Sequence, residues 1–434
     1  MIHRHGGDIY TYGNVLDFSA NINFRGMPAS VREAARCAVD ASGHYPDPDC
    51  RTLRRALARR EASFYGVQAI SPEDLICGNG AAELMFALAA ACRPKRALLA
   101  VPSFFEYEQA LSAVGCEICR FILNPEQGFR PGEDFLDAVW EFVGGNSQAL
   151  YVEKSCDTPA SAFEVPSDWI LSDEGGFTPG GMIILGNPNN PTGQLIEKEI
   201  LAKLVDLCRE RQILLVLDES FIDFLSEDDR QRTVSGSSFL SGDDQRRTIS
   251  RSRFPDENDQ QRPDFGTCFQ KYNPYLFIIR SFTKMYAMPG IRFGYGLSTD
   301  RQLLENMRRL MQPWNVSTIA QEAAAAAAGE EVFARESAVY VAQNREKMMA
   351  DLQNTGFEVF GSCANFLLIR APRQLADVCL KAGFLIRDCG NFPGLMQTGE
   401  DWGYFRVCVR SREENEALLC AMKSIAPACQ TGER

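Results

Sequence analysis

Residues 280–292 of this chain read Arg-Ser-Phe-Thr-Lys-Met-Tyr-Ala-Met-Pro-Gly-Ile-Arg, and this stretch decides the fold that we predict. It follows the apolar run at residues 276–279, which predicts a buried strand. Lys284 would therefore be held rigidly at a strand end, where burial and neighbouring cations make an amine easier to deprotonate. Such a lysine can condense with a carbonyl group. The alternative interpretation is a surface turn, and this stretch alone does not decide between the two.

The length of 434 residues exceeds the roughly 250–300 residues that one hydrophobic core usually serves, so at least two domains are expected. Two polar segments, at about 144–181 and 226–271, interrupt the series of predicted strands and helices. The second lacks apolar periodicity and is expected to be a flexible insertion. The predicted divisions are an N-terminal arm at 1–30, part of the small domain at 31–69, a large domain at 70–325 with insertions at about 144–181 and 226–271, and the rest of the small domain at 335–434.

Composition narrows the possible partners and locations. The net charge of −12 argues against nucleic acid and against an anionic membrane surface. Apolar runs stay far below the roughly 20 residues that span a bilayer, and residues 1–4 do not resemble a signal peptide, so a cytoplasmic protein is expected. The 15 cysteines are scattered and are interpreted as reduced thiols. Cys116 and Cys119 form a CxxC within a strand-like run, so we predict no metal site there.

Short apolar runs alternate with helical segments from about residue 74, which predicts an α/β fold with a mostly parallel sheet covered by helices. Residues 78–80, Gly-Asn-Gly, lie between the first such run and a helix. Free N–H groups and the positive end of a helix dipole at this point suit a phosphate group. The same turn also opens helices in many α/β proteins, so it is a weak signal alone.

Polar residues follow two further strands of the predicted sheet. Residues 187–193 read Asn-Pro-Asn-Asn-Pro-Thr-Gly, and Asp218 ends the run at residues 213–217. A buried aspartate can keep a pyridine nitrogen protonated, which makes the ring of pyridoxal phosphate (PLP) an effective electron sink. Asn190 can donate its amide to a ring oxygen, and Phe104 can stack on a ring face. Taken singly, such residues are usually structural.

Together with Ser281, Lys284 and Arg292, these motifs resemble the fold-type I PLP enzymes of the aminotransferase superfamily over nearly the whole chain outside the two insertions. The resemblance implies a large PLP-binding domain with a mostly parallel sheet, and a smaller α/β domain. It also implies that Lys284 binds the cofactor covalently and that Asp218 pairs with its ring nitrogen as the second catalytic residue. The implied cofactor-binding residues are Tyr45, Gly80, Ala81, Ala82, Phe104, Asn190, Asp218, Phe221, Ser281, Lys284 and Arg292.

Two of these positions carry further implications. Tyr45 matches a tyrosine that reaches the cofactor phosphate of the neighbouring subunit, which implies a homodimer with shared active sites. Relatives often carry a hydroxyl residue at the position of Ala82, so phosphate binding there is left to backbone N–H groups. The segment 226–271 departs from the family pattern, which leaves open what that edge of the protein contacts.

Within the superfamily, the closer resemblance is to the threonine-phosphate decarboxylases of cobalamin biosynthesis, which are similar to histidinol-phosphate aminotransferases. Phe221 supports it, because many aminotransferases have a tyrosine there that contacts the cofactor, and phenylalanine cannot make that bond. The other matching segments are 5–7, 17–23, 45–47, 218–224, 313–316, 391–395 and 404–407.

This resemblance implies decarboxylation of L-threonine O-3-phosphate, or of a close analogue such as L-serine O-phosphate. Arg406 would bind the carboxylate, and Arg387 would bind the phosphate with His5 and Asn23, although the two arginines could exchange roles. Asn190 completes the implied substrate-binding set. Two alternatives stay open: a histidinol-phosphate-type aminotransferase, and a catalytically silent PLP-fold protein that acts as a binding module.

Overall fold

A computed structural model describes residues 5–144, 151–153, 180–226, 229–230, 273–395 and 401–425. Its strands form three sheets. In chain order the strands are β1 Leu16–Asp17, β2 Leu75–Gly78, β3 Arg96–Val101, β4 Glu117–Ile122, β5 Tyr151–Glu153, β6 Met182–Gly186, β7 Leu214–Asp218, β8 Leu276–Ser281, β9 Gly294–Leu297, β10 Glu358–Val359, β11 Phe366–Pro372, β12 Phe384–Leu385, β13 Arg387–Asp388 and β14 Trp402–Cys408.

The central sheet has eight strands in the order β2-β9-β8-β7-β6-β3-β4-β5. The run from β8 to β4 is entirely parallel, whereas β9 lies antiparallel between β2 and β8, and β5 is antiparallel to β4 at the edge. The central strands are continuous apolar runs buried on both faces, as expected for a parallel sheet covered by helices. The predicted α/β fold class is confirmed.

Helices cover both faces of this sheet. Side chains alternate along β8: Leu276 and Ile278 join one apolar cluster, whereas Phe277 and Ile279 join the cluster on the opposite face. The helices of at least four residues are α1 Ile9–Tyr12, α2 Ala29–Asp40, α3 Arg51–Tyr65, α4 Ala81–Cys92, α5 Phe105–Ala113, α6 Glu133–Val143, α7 Lys198–Arg211, α8 Phe282–Met285, α9 Arg301–Leu310, α10 Thr318–Ala328, α11 Glu331–Asn354, α12 Leu375–Lys381 and α13 Arg412–Met422.

A second sheet is antiparallel, with the order β10-β11-β14-β13. Its two faces have different neighbours. Phe366 and Leu368 of β11 join the large apolar cluster of the central sheet, whereas Leu367 and Ile369 pack with residues of α11, α12 and α13 in a third cluster. One face of this small sheet therefore lies towards the central sheet. Strand β1 pairs in parallel with β12, which ties the N-terminal segment to the C-terminal part of the chain.

The predicted domain limits remain proposals, and we change one of them, the assignment of residues 31–69 to the small domain. Helices α2 and α3 pack on α10, and Leu53 and Leu57 of α3 belong to the apolar cluster of the central sheet rather than to that of the small sheet. We therefore propose that residues 31–69 accompany the large domain, because an amphipathic helix belongs to the core that buries its apolar face. Most of the predicted insertions, 144–181 and 226–271, lies outside the described residues.

Two further predictions concern a metal site at the CxxC pair and helices that could span a membrane. Cys116 precedes β4 and Cys119 lies within it, and both thiols are buried. Within the described ranges, no cluster of three or more His, Cys, Asp or Glu side chains is suited to a metal ion. None of the described helices combines the length and apolar character needed to cross a bilayer.

Candidate active site

A cavity of about 310 Å³ lies at one edge of the central sheet. Phe104 follows β3, Asn190 follows β6, Asp218 ends β7 and Lys284 follows β8. These four strands are neighbours and parallel, so their carboxyl ends bring the four residues together, as is usual for ligand sites in open α/β sheets. The predicted site residues that line the cavity are His5, Gly80, Ala81, Ala82, Phe104, Asn190, Asp218, Phe221, Ser281, Lys284, Arg292, Arg387 and Arg406.

Lys284 lies in the short helix α8, which begins where β8 ends. The hydroxyl of Ser281 accepts a hydrogen bond from the Thr283 N–H over 3.4 Å and caps this turn. Removal of the amine from water, helped by the charges of Arg406 and Arg292, lowers the Lys284 pKa from 10.5 to about 8. About a tenth of this amine is therefore neutral and nucleophilic at pH 7, and about half at pH 8.

Asn23 does not line the cavity but supports the segment that carries the lysine. Its backbone N–H donates to the Lys284 carbonyl over 3.1 Å, and its side-chain amide donates to the Met285 carbonyl over 2.9 Å. The Asn23 side chain is buried and already bonded. Its predicted contact with substrate finds no support in this geometry, and a role in positioning Lys284 fits better.

Asp218 is held by three donors. The Tyr107 hydroxyl donates to Oδ2 over 2.8 Å, while the Ser220 N–H and hydroxyl donate to Oδ1 over 3.0 and 2.6 Å. Three donors from two elements fix the orientation of this buried carboxylate. The sequence analysis missed Tyr107, although its position three residues after Phe104, at the start of a helix, was a usable signal.

A cradle for a phosphate group lies where α4 begins. Gly80 has φ of +88°, a conformation that favours glycine, and a Cβ atom there would lie 2.7 Å from Nη2 of Arg292. At Gly294, a Cβ atom would lie 2.6 Å from the Ala81 backbone nitrogen. Gly80, the first two residues of α4 and Arg292 all line the cavity, and a helix N-terminus beside a guanidinium suits an anion.

Two arginines lie opposite each other at the far side of the cavity. Arg387 of β13 and Arg406 of β14 are direct partners in the antiparallel ladder, so their side chains project from the same face of the small sheet. Nη2 of Arg406 donates to the Ser19 carbonyl over 2.7 Å, and Nη1 donates to Oδ1 of Asn190. Burial, together with the positive charge of Arg387, lowers the pKa of Arg406 from 12.5 to about 10.

Unsatisfied polar atoms show where a ligand would be expected. Nε of Arg406 and Oε2 of Glu106 are buried without a hydrogen-bond partner among the described residues. Native proteins rarely leave such atoms unpaired, and both residues line the cavity, so a ligand bound there would satisfy them. Glu106 was missed by the sequence analysis. It faces His5, whose Nδ1 lies 3.4 Å from Oε1 of Glu106.

Tyr45 lies outside the cavity of its own chain. Its side chain is 78% exposed and its ring stacks on that of Trp314, with centroids 4.4 Å apart. An exposed aromatic pair is available for contact with another molecule. The predicted role of Tyr45 at a neighbouring subunit's cofactor therefore stays a prediction.

Comparison with known proteins establishes the family. The family model described as aminotransferase class I and II matches residues 13–422. The chain belongs to this family. Among its relatives, the threonine-phosphate decarboxylase of Salmonella typhimurium is 31% identical over 98% of both chains.

Solved structures of the aminotransferase family have the same fold. The histidinol-phosphate aminotransferase of Clostridium acetobutylicum superposes with a TM-score of 0.69 and 26% identity, covering 95% of this chain and 99% of that one. The L-threonine-O-3-phosphate decarboxylase of Porphyromonas gingivalis superposes with a TM-score of 0.62 and 22% identity, covering 94% and 98%. The second likeness supports the fold alone.

The family's cofactor is PLP, and the residues of this cavity fit it. The Gly80 cradle with Arg292 suits its phosphate, and Asp218 suits its ring nitrogen. Lys284 supplies an amine that deprotonates near pH 8. Phe104 and Phe221 offer aromatic surface within the same cavity.

Proposed function

We propose that this chain is a PLP-dependent decarboxylase that converts L-threonine O-3-phosphate, or a close analogue such as L-serine O-phosphate, to the corresponding amino-alcohol phosphate. The 31% identity with a threonine-phosphate decarboxylase over nearly the full length supports this function. The resemblance assigns the reaction to cobalamin biosynthesis, and a cytoplasmic location is part of the proposal. Threonine phosphate and serine phosphate differ by one methyl group, which an apolar pocket distinguishes by only about 1–3 kcal/mol.

The observation that carries the proposal is the pairing of Arg387 with Arg406. A substrate with both a carboxylate and a phosphate needs two anion sites, and two guanidinium groups on adjacent strands provide them in one cavity. Histidinol phosphate has no carboxylate. An aminotransferase binds the carboxylate of its amino donor, and release of CO₂ without an amino acceptor distinguishes the decarboxylase from it.

Each residue has a role in this reaction. PLP, when bound, supplies the electron sink for the bond that breaks at Cα of the substrate. Asp218 holds a proton at the ring nitrogen, and Tyr107 and Ser220 keep its carboxylate in place. Arg406 binds and orients the carboxylate that leaves as CO₂. Arg387 and His5 bind the phosphate, and Lys284, near its pKa, can deliver the proton that replaces CO₂.

The test is to incubate the PLP-loaded protein with L-threonine O-phosphate or L-serine O-phosphate, without any 2-oxo acid, and to measure CO₂ and amine phosphate. Release of both products without an amino acceptor supports the decarboxylase. Absence of CO₂, with glutamate-dependent conversion of imidazole-acetol phosphate, indicates the aminotransferase. A protein that binds no PLP would be the silent binding module.

We also propose that the active unit is a homodimer in which Tyr45 reaches the partner's site. Exposure of the Tyr45–Trp314 pair supports this arrangement. Mixing inactive Lys284→Ala with a Tyr45→Phe variant would restore one complete site per mixed dimer. Activity above that of either variant alone is expected, and its absence after exchange of subunits contradicts shared sites.

A further inference from the structure

Glu106 is an acidic side chain in a cavity otherwise suited to anions. It is the second residue of α5, which follows Phe104, and its side chain is only 14% exposed. Oε2 is buried without a hydrogen-bond partner in the described part of the chain. A buried carboxyl oxygen in this state is costly unless a ligand satisfies it or the group carries a proton.

The groups that act on Glu106 come from several elements. His5 of the N-terminal segment lies 3.4 Å from Oε1. Lys284 of α8 and Arg387 of β13 attract its negative charge, whereas Asp218 of β7 repels it, and Tyr107 follows it on α5. Burial outweighs the attraction and raises the Glu106 pKa from 4.5 to about 7. Near neutral pH the group therefore exists in both protonation states.

We propose that Glu106 binds the phosphate group of the substrate by donating a hydrogen bond from its protonated carboxyl, beside Arg387 and His5. This inference rests on the proposed function, because it assumes that a phosphorylated substrate occupies the cavity. A phosphate dianion accepts hydrogen bonds strongly, and an ionised Glu106 would repel it. Protonation makes the unpaired Oε2 a hydrogen-bond donor to the ligand.

A consequence follows for proton uptake. If the bound state requires protonated Glu106, then binding at a pH above 7 must take up a proton from solution. Affinity then falls by up to about tenfold per pH unit above 7, because each unit reduces the protonated fraction tenfold. Below pH 7 this dependence disappears, since Glu106 is already protonated.

The experiment uses the PLP-loaded protein and 3-phosphoglycerate, which carries a carboxylate and a phosphate monoester but has no amine to react. Titration calorimetry in buffers of different ionisation enthalpy, at pH 8, measures the protons taken up on binding. About one proton per site is expected for the wild type, and none for Glu106→Gln. Glu108→Gln is the matched control, because Glu108 lies two positions further along α5 and pairs with Arg120, outside the cavity.

His5 is the competing source of a proton, since an imidazole also gains charge beside a phosphate. His5→Gln should keep most of the uptake. The inference is overturned if the wild type binds 3-phosphoglycerate without proton uptake, if Glu106→Gln retains it, or if His5→Gln alone abolishes it. Failure to bind the ligand at all also overturns it.

The proposed function is judged separately, by CO₂ release from L-threonine O-phosphate. Proton uptake that depends on Glu106, in a protein that releases no CO₂, would retain the phosphate site and reject the decarboxylase. CO₂ release with no role of Glu106 in uptake would retain the decarboxylase and reject this inference.

Discussion

The hydroxyl of Tyr107 donates a hydrogen bond to Oδ2 of Asp218 over 2.8 Å, and both groups are buried. The bond joins the helix after β3 to the end of β7. It fixes the orientation of the Asp218 carboxylate, which lines the cavity. The orientation of Asp218, the proposed partner of the PLP ring nitrogen, therefore depends on Tyr107, which the sequence analysis missed.

Tyr107→Phe should weaken PLP binding about tenfold, because a buried hydrogen bond to a charged group contributes about 1.5–3 kcal/mol. Titration of the cofactor-free protein with PLP, followed by visible absorbance, gives the dissociation constant. Tyr340→Phe, at an exposed tyrosine on α11, is the control and should bind PLP normally. Unchanged affinity in Tyr107→Phe would show that Ser220 alone holds Asp218.

Cofactor loading should depend on pH through Lys284. Only the neutral amine attacks the PLP carbonyl, so the loading rate should rise with pH, with a midpoint near pH 8. Arg406→Gln removes a positive charge that favours the neutral amine, which should move the midpoint to higher pH. Arg410→Gln, whose arginine pairs with Glu414, should leave it in place. A midpoint that is the same in Arg406→Gln would contradict the electrostatic explanation.

Gly80→Ala should impair recognition of the cofactor phosphate. The new Cβ atom would meet Nη2 of Arg292 at 2.7 Å and push the guanidinium away from the start of α4. We expect the preference for PLP over pyridoxal, which lacks the phosphate, to fall about tenfold. Gly66→Ala is matched for strain, since φ there is +65° with nothing within 4 Å, and should keep the preference. Equal losses in both variants would point to general destabilisation instead.

Arg280→Met should destabilise the protein by about 3–5 kcal/mol, because it leaves buried carboxylates without their partner. Arg280 is 2% exposed, and its Nη2 lies 3.0 Å from Glu219 and 3.3 Å from Glu61. The midpoint of urea unfolding measures the effect. Adding Glu219→Gln should restore part of the loss, since it removes one unpaired charge.

The control for this prediction is Arg301→Met. Arg301 pairs with Asp74 over 3.0 Å at the surface, with its side chain 61% exposed, so its loss should cost less than about 1 kcal/mol. If Arg280→Met lowers the free energy of unfolding by no more than Arg301→Met does, the buried Glu61 and Glu219 do not depend on Arg280.

Much of the site was predictable because several of its residues lie at or just after the ends of strands. Asp218 ends its strand, and Asn190 and Lys284 follow theirs within four residues, so the three meet at the carboxyl ends of the strands once these are parallel. The face of the small sheet that carries Arg406 was also predictable. Side chains alternate along β14, so Arg406 lies on the face opposite to Phe405 and Val407, which pack in the third apolar cluster.

Other features depend on contacts between distant segments, which local patterns do not encode. The antiparallel position of β9 between β2 and β8 is one, and the packing of α3 on the central core is another. Glu106 escaped notice because an acidic residue in the first turn of a helix is ordinary. Its significance comes from burial beside His5, which only the fold creates.

Arg406 touches three parts of the chain at once. It belongs to the small sheet, yet it bonds to Asn190, 216 residues away, and to Ser19, 387 residues away. Contacts that close such long loops form late in folding, after local and shorter-range structure. We therefore expect the site around Arg406 to be completed only when the small sheet packs on the central sheet, and a local opening there would disrupt the site while the central sheet stays folded.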